Sequence, residues 1–413
     1  MPNTPVTQHT LRALIIALLV AVLSVASPVT AVSLESIGGI SLSENSDLAA
    51  SAPAVPMPAG VLRTADGRTL WAREPHEERA MASITKIMTA LVVLDKADLT
   101  ATVAVSAEAA AVKESGVDLE AGEQFTVQQL LEATLVPSAN DAAYALAEHV
   151  AGSEDAFVGL MNAKAAELGL GRSAFTNPHG LDEPGHYTCA GDIATLISVA
   201  MADPRFAEIV AKPSITWTSG GVSKVYESSN ELLGEYEGML GGKTGFTNKA
   251  GYSVVLEAER QGIGLIAVVL GGTSEDDRFA QARTLLDWGF EHYAITEVAS
   301  AETTAGLVPV TDYLDRTVKA EVAEDALVPV FDLDGEVTSR LDLVSEIDAP
   351  VKAGDRLGTL TVVQGTRLLA QVPVVAAADV PEPDTWDSIG IWFTRVWRTM
   401  FGGELQATPV RVM

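Results

Sequence analysis

The sequence predicts an α+β protein, and three observations carry that prediction. Two short β-like runs precede, and several follow, a stretch whose apolar residues recur every three or four positions. That is the pattern of one antiparallel sheet with a helical lobe inserted into it. From about Thr303, short alternating runs separated by turn residues mark a second, small all-β domain. After Pro381 and Pro383, the residues Trp386, Ile389, Trp392, Phe393, Val396, Trp397, Met400 and Phe401 fall at three- and four-residue steps, which makes a terminal amphipathic helix.

The elements follow in order. Arg12 precedes the apolar run Ala13 to Ala26, and Val29-Thr30-Ala31 offers a small-residue cleavage site, so residues 1–31 read as a secretory signal peptide. The run is short for a spanning helix, which needs about 20 residues. Residues 32–58, rich in Ser, Ala and Pro, read as a flexible lead. Val61 to Arg63 and Arg68 to Ala72 flank Asp66-Gly67, a hairpin signal. The apolar stripe Ile87, Met88, Leu91, Val92 and Leu94 predicts the next helix.

Thr126-Val127-Gln128-Gln129 is a capping box opening a helix that Pro137 ends. Further helices are predicted over Asp141 to Val150, after the cap Ser153, and over Asp192 to Ala202, which completes a helical lobe. Strands return at Ser214 to Thr218, Val222 to Tyr226, Lys243 to Thr247, Gly251 to Glu259 and Ile263 to Gly271. A helix from Asp277 to Tyr293 closes the first domain at 59–295, and the β-domain is placed at 303–376. The terminal helix, at 384–403, carries three of the six Trp together with Asp387, Arg395 and Arg398. It suits a membrane interface and is too short and too charged to span.

Composition excludes several functions. The net charge of -28 argues against nucleic acid, which needs a basic footprint. Cys189 is the only cysteine, so no intramolecular disulfide or thiolate metal cluster can form, and it reads as a small core residue. His-Glu-x-x-His and Gly-x-Ser-x-Gly are absent, which argues against the zinc-hydrolase and ordinary lipase-like readings.

Ser83 and Lys86 share a helix face one turn apart, so an amine can reach the hydroxyl and act as its base. About one Ser-x-x-Lys is expected by chance in a chain this long, so partners decide its meaning. Ser-x-Asn occurs at Ser43, Ser138 and Ser228; only Ser138-Ala139-Asn140 lies between helices of the lobe. Lys243-Thr244-Gly245 occurs once, at the start of a predicted strand. These three motifs in this order are the set of penicillin-binding proteins and class A β-lactamases. In that chemistry Ser83 is the acylated nucleophile, Lys86 its base, Ser138 a proton relay and Asn140 the residue that orients Lys86 or the substrate amide. Lys243 and Thr244 hold a substrate carboxylate, Gly245 lets the strand approach, and the backbone N–H groups of Ser83 and Phe246 are oxyanion donors.

From about residue 59 to residue 400 the chain resembles the D-alanyl-D-alanine carboxypeptidases, the low-molecular-mass penicillin-binding proteins. The resemblance rests on Met81 to Ala90, on Asn177-Pro178-His179-Gly180-Leu181, and on Gly241-Gly242-Lys243-Thr244-Gly245-Phe246-Thr247. Arg278 matches an Arg that the family places near the substrate carboxylate. Gly242 departs from the Leu or Ile of many members and is expected to loosen the strand. His179 reads as a loop residue supporting the site. The resemblance implies a DD-peptidase/β-lactamase-like catalytic domain and removal of terminal D-Ala from peptidoglycan stem peptides with no metal or cofactor. It also implies acylation by β-lactam antibiotics and peripheral attachment at the outer face of the cytoplasmic membrane. A β-lactamase, a DD-endopeptidase and a non-catalytic wall-binding protein are the alternatives. The first lacks its Glu-x-x-Leu-Asn loop, because Glu167-Leu168 runs into Gly169-Leu170.

Overall fold

The computed structural model describes residues 35–42, 45–219 and 221–412; the expected signal peptide at 1–31 and Ser43 lie outside them. Glu35–Ile37 (β1), Ile40–Ser41 (β2), Ala59–Thr64 (β3) and Thr69–Arg73 (β4) precede the helical lobe. Within or beside the lobe lie the short pairs Thr102–Ala104 (β5) with Gln124–Thr126 (β6), and Ser214–Ser219 (β7) with Val222–Glu227 (β8). Met239–Thr247 (β9), Gly251–Arg260 (β10) and Ile263–Gly272 (β11) follow. The main sheet has seven strands in the order β2-β1-β4-β3-β11-β10-β9. All its pairings are antiparallel, so it closes around the chain's detour through the lobe.

The period-two pattern explains how two cores share this sheet. Val255, Ile266, Val268 and Leu270 face the lobe and pack with Ile87, Leu91, Leu196 and Ile197. Val254, Leu256, Leu265, Ala267 and Val269 alternate with them onto the other face, against Phe279, Leu285 and Leu286 of the Glu275–His292 helix. Strands covered on both faces read as continuous apolar runs. In the lobe, the expected capping box is formed: Thr126 accepts from the Gln129 amide, and the Gln129 side chain accepts from the Thr126 amide. Ser153 caps Glu154–Glu167 as expected.

Several sequence expectations change. The described residues between 35 and 58 are not a flexible lead. Ile37 pairs with Trp71 in the sheet register, Val55 and Met57 are buried, and the Trp288 indole donates to the Ser51 carbonyl at 2.6 Å. A few apolar residues scattered among Ser, Ala and Pro are enough, because each meets a large partner already fixed in the core. Likewise β7 and β8 do not join the main sheet; they form a separate ribbon whose Trp217 stacks on Phe125 at 4.5 Å between ring centroids. Pro204–Val210 forms a further lobe helix capped by Asp203.

The gap expected between the domains is filled by Tyr293–Ala299 (β12), which continues directly from the preceding helix. Next come Thr304–Pro309 (β13), Thr317–Val322 (β14), Ala326–Phe331 (β15), Val337–Leu343 (β16), Arg356–Gln364 (β17) and Arg367–Ala376 (β18). β12 pairs with β15, and a six-stranded sheet runs β16-β17-β18-β14-β13 and ends on Val410–Arg411 (β19). The terminal helix is Thr385–Phe401, capped by Asp384. None of its residues is buried; Trp386 is 82% and Trp397 62% exposed.

Lys243 sits in the middle of β9 rather than at its start, because the strand begins upstream through Gly241 and Gly242. Gly242 does not loosen it. Its φ is 149°, and a Cβ there would lie 2.1 Å from the Val255 carbonyl oxygen, so this backbone accepts only glycine. Gly242→Leu is expected to cost at least about 2 kcal/mol of stability. Urea unfolding checks this, and an unchanged midpoint would contradict it.

Candidate active site

Three elements converge where β9 meets the lobe. A 3₁₀ turn, Ala82–Ile84, carries Ser83 and leads into the Thr85–Lys96 helix, whose first turn carries Lys86. The Asn140–Ala151 helix begins at Asn140, two residues after Ser138, which is held at a φ of 69°. β9 supplies Lys243 to Thr247. Ser83, Ser138, Asn140, Thr244, Gly245, Phe246, Thr247 and Arg278 all line one cleft of about 350 Å³. Lys86 and Lys243 lie behind its wall, 0% and 1% exposed.

Lys86 Nζ has three oxygen neighbours: Ser83 Oγ at 2.8 Å, Asn140 Oδ1 at 2.6 Å and the His179 carbonyl at 2.8 Å. The amide and peptide oxygens can only accept. A neutral amine in this position gives both of its N–H bonds to them and points its lone pair at Ser83 Oγ. Burial first, and Lys243 second, hold Lys86 well below the usual lysine range. Asn140 is itself fixed, donating from Nδ2 to the Lys113 carbonyl at 3.2 Å and from its amide to the Ser115 carbonyl at 2.7 Å.

Lys243 Nζ donates to Ser138 Oγ at 2.9 Å and to the Thr244 carbonyl at 3.1 Å. Burial, with the Arg278 cation nearby, lowers it to about 7. Arg278 is only 3% exposed; its guanidinium pairs with Glu275 and lies 4.8 Å from the Phe279 ring centroid, and its Nε has no partner. Two cations thus stand beside one cleft. Gly245 brings the strand against the nucleophile turn: a Cβ there would lie 3.0 Å from both the Met81 carbonyl and the Ser83 amide nitrogen. Thr247 turns away to donate to Asp182 at 2.9 Å.

His179 contributes its backbone. Its ring is buried, which lowers its pKa to about 3, and only its carbonyl meets Lys86. Sequence reasoning missed Ser229, which lines the cleft and accepts from Thr244 Oγ1 at 2.8 Å. The signal was present, since Ser229 is the middle residue of the Ser-x-Asn triplet at 228–230, which leads into a turn over 231–235. It also missed Asp141, buried and accepting from the Val117 and Leu119 amides, which pins the wall that carries Ser115.

A model of the D-alanyl-D-alanine carboxypeptidases matches residues 49–274, and one of the penicillin-binding protein 5 C-terminal domain matches residues 293–382. The chain belongs to the D-alanyl-D-alanine carboxypeptidase family. Among its relatives, carboxypeptidase DacF of Bacillus subtilis is 32% identical, with 76% of this chain and 83% of that one aligned. DacC of Escherichia coli is 33% identical over 84% of this chain and 88% of the other. The solved penicillin-binding protein 5 of Haemophilus influenzae covers 80% of this chain and 99% of its own at a TM-score of 0.60 and 29% identity. This family member is therefore a serine-type peptidase with a catalytic domain followed by an all-β domain.

The buried lysines make stability depend on pH. Folding lowers the Lys243 value from its usual 10.5 to about 7, so between those limits the unfolded chain binds the proton more tightly. The contribution of this group therefore rises with pH across that window, and Lys86 adds to it in the same sense. Lys243→Met should lose ground to the wild type as pH rises from 7 to 10, by an amount on the order of a few kcal/mol. Urea titrations at several pH values test this; parallel pH profiles would contradict it.

Proposed function

We propose that the enzyme removes the terminal D-Ala from peptidoglycan stem peptides ending in D-Ala-D-Ala, through an acyl-Ser83 intermediate. The observation that carries this reading is the position of Lys86 Nζ, 2.8 Å from Ser83 Oγ with two acceptor-only oxygens, Asn140 Oδ1 and the His179 carbonyl, as its other partners. Ser83 Oγ attacks the penultimate D-Ala carbonyl and Lys86 Nζ takes its proton. The tetrahedral oxyanion is met by the Ser83 and Phe246 amides. Ser138, held by Lys243, gives its proton to the departing amine as the C–N bond breaks and takes up in its place the proton that Lys86 received from Ser83, so that D-Ala leaves and Lys86 is again a free base. A water molecule, deprotonated by Lys86, then hydrolyses the ester. Lys243, Thr244 and Arg278 receive the terminal carboxylate, and Gly245 and Thr247 shape the strand that aligns the peptide.

β-Lactams enter the same cleft and leave Ser83 acylated. A class A β-lactamase would need a Glu placed for deacylation, but Glu167 is the exposed last residue of the Glu154–Glu167 helix and pairs with Lys164 at 3.1 Å. Mass spectrometry of muropeptides incubated with enzyme should show pentapeptides losing one alanine while cross-linked dimers persist. Ser83→Ala should lower the rate about 1000-fold or more. Cleaved dimers with intact pentapeptides would favour the endopeptidase reading. Equal labelling of Ser83→Ala and wild type by a fluorescent penicillin would overturn the acyl-serine assignment.

Residues 1–31 are proposed to direct export, and Thr385–Phe401 to lie in the outer face of the cytoplasmic membrane. Among the described residues no helix is long and apolar enough to cross a membrane. This one exposes Trp386, Trp392, Phe393, Trp397, Met400 and Phe401, while Arg398 pairs with Asp315 of the β-domain at 2.9 Å. An exposed aromatic face on a docked helix is suited to an interfacial plane. Replacing Trp386 and Trp397 by Ser should weaken co-sedimentation with lipid vesicles by at least about tenfold. Unchanged partitioning would exclude this face as the anchor.

A further inference from the structure

A buried histidine that neither lines the cleft nor belongs to any of the three motifs reaches the nucleophile turn through one hydroxyl. Ala82, the residue before Ser83, has a φ of 49°, an unfavourable conformation for a residue with a Cβ. Its carbonyl accepts from Thr85 Oγ1 at 2.8 Å, and Thr85 Oγ1 lies 2.7 Å from His186 Nε2. The Thr176 backbone amide donates to His186 Nδ1 at 3.0 Å. A backbone N–H can only donate, so Nδ1 is the unprotonated ring nitrogen and Nε2 carries the hydrogen. The chain then has one direction: Thr176 N–H to the ring, ring N–H to Thr85, Thr85 O–H to the Ala82 carbonyl. Thr85 is 0% and His186 4% exposed, so water does not compete.

The Ala82 carbonyl and the Ser83 N–H are two ends of one planar peptide. A hydrogen bond to the carbonyl fixes the plane in which the N–H points and polarises that N–H as a donor. We propose that His186 is a positioning residue that acts through Thr85 to hold and polarise the Ala82–Ser83 peptide, whose N–H stabilises the oxyanion. This rests on the acyl-serine reading above. It assigns to a side chain outside the motifs a share of transition-state stabilisation rather than of substrate binding.

The test uses the full chain and benzylpenicillin, with the noncovalent constant and the acylation rate constant separated by saturation kinetics and counted per folded protein. His186→Leu is expected to slow acylation at least about tenfold with the noncovalent constant unchanged. His186→Gln, which retains a donor, should recover most of that loss. The double variant Thr85→Val, His186→Leu should be no slower than Thr85→Val alone, because both act on the same carbonyl. Where His186→Leu does not fold, the same question is put to Thr85→Ser and Thr85→Val with His186 intact. The serine variant should keep the rate and the valine variant should lose it. Acylation at the wild-type rate in folded His186→Leu, losses that multiply in the double variant, or equal rates for the two Thr85 variants would overturn the proposal. A wild-type adduct on a residue other than Ser83 would instead remove the acyl-serine reading beneath it.

Discussion

The structure depends on keeping one amine dry. Lys86 is fully buried in the free enzyme, and burying an unpartnered ammonium costs on the order of several kcal/mol. Its three oxygen partners come from three separate segments: the Ser83 turn, the start of the Asn140 helix and the loop carrying His179. Those segments are far apart in sequence, and only the sheet with its helical insertion brings them to one point. Much of the lobe can be read as support for that convergence. Asp141 ties down the segment whose Ser115 carbonyl holds the Asn140 amide, and the Asn177 side chain accepts from Gly180 and donates to Leu181, tightening the loop that presents the His179 carbonyl.

The second lysine gives this arrangement its asymmetry. Lys243 is equally buried but is held by one hydroxyl and its neighbour's carbonyl, and it faces Arg278 across the cleft wall. Two cations sharing a low-dielectric wall repel each other, and an arriving carboxylate relieves the repulsion. On the proposed mechanism, substrate binding and base strength are therefore coupled. The anion that keeps Lys243 protonated also lessens the pressure of Lys243 on Lys86. A carboxylate-terminated peptide thus tunes the site that cleaves it, which a neutral peptide end would not do.

What the sequence made legible divides along this line. Ser83 with Lys86, Ser138 with Asn140, and Lys243 with Thr244 are pairs whose spacing is dictated by a helix turn, a helix start and a strand, so local geometry reveals them. Ser229, Asp141, His186 and the ordering of Ile37, Val55 and Met57 depend on contacts across long stretches of chain, and no local period marks them. Gly242 is instructive for a different reason. As a departure from a family pattern it looked like a loss, whereas its pairing with Leu256 sets the Val255 carbonyl where a Cβ would sit and excludes any side chain. The β7–β8 ribbon was misplaced because alternation predicts a strand but not the partner it pairs with.

The charge of the chain constrains how it could meet a membrane. A protein with a net charge of -28 is repelled by an anionic lipid surface, and the terminal helix offers only Arg395 and Arg398 against it. Both arginines are already committed to the β-domain, Arg398 to Asp315 and Arg395 to the Thr311 carbonyl. They orient the helix on the domain rather than attract lipid. Attachment through this helix must then come from the apolar area of its aromatic residues, which salt does not screen. Were the proposed attachment to hold, the same repulsion would keep the acidic catalytic domain off the bilayer, out towards a polymer substrate, while one aromatic face would tether it. On that proposal an acidic body and an aromatic foot would act together, charge setting the distance and apolar area the grip.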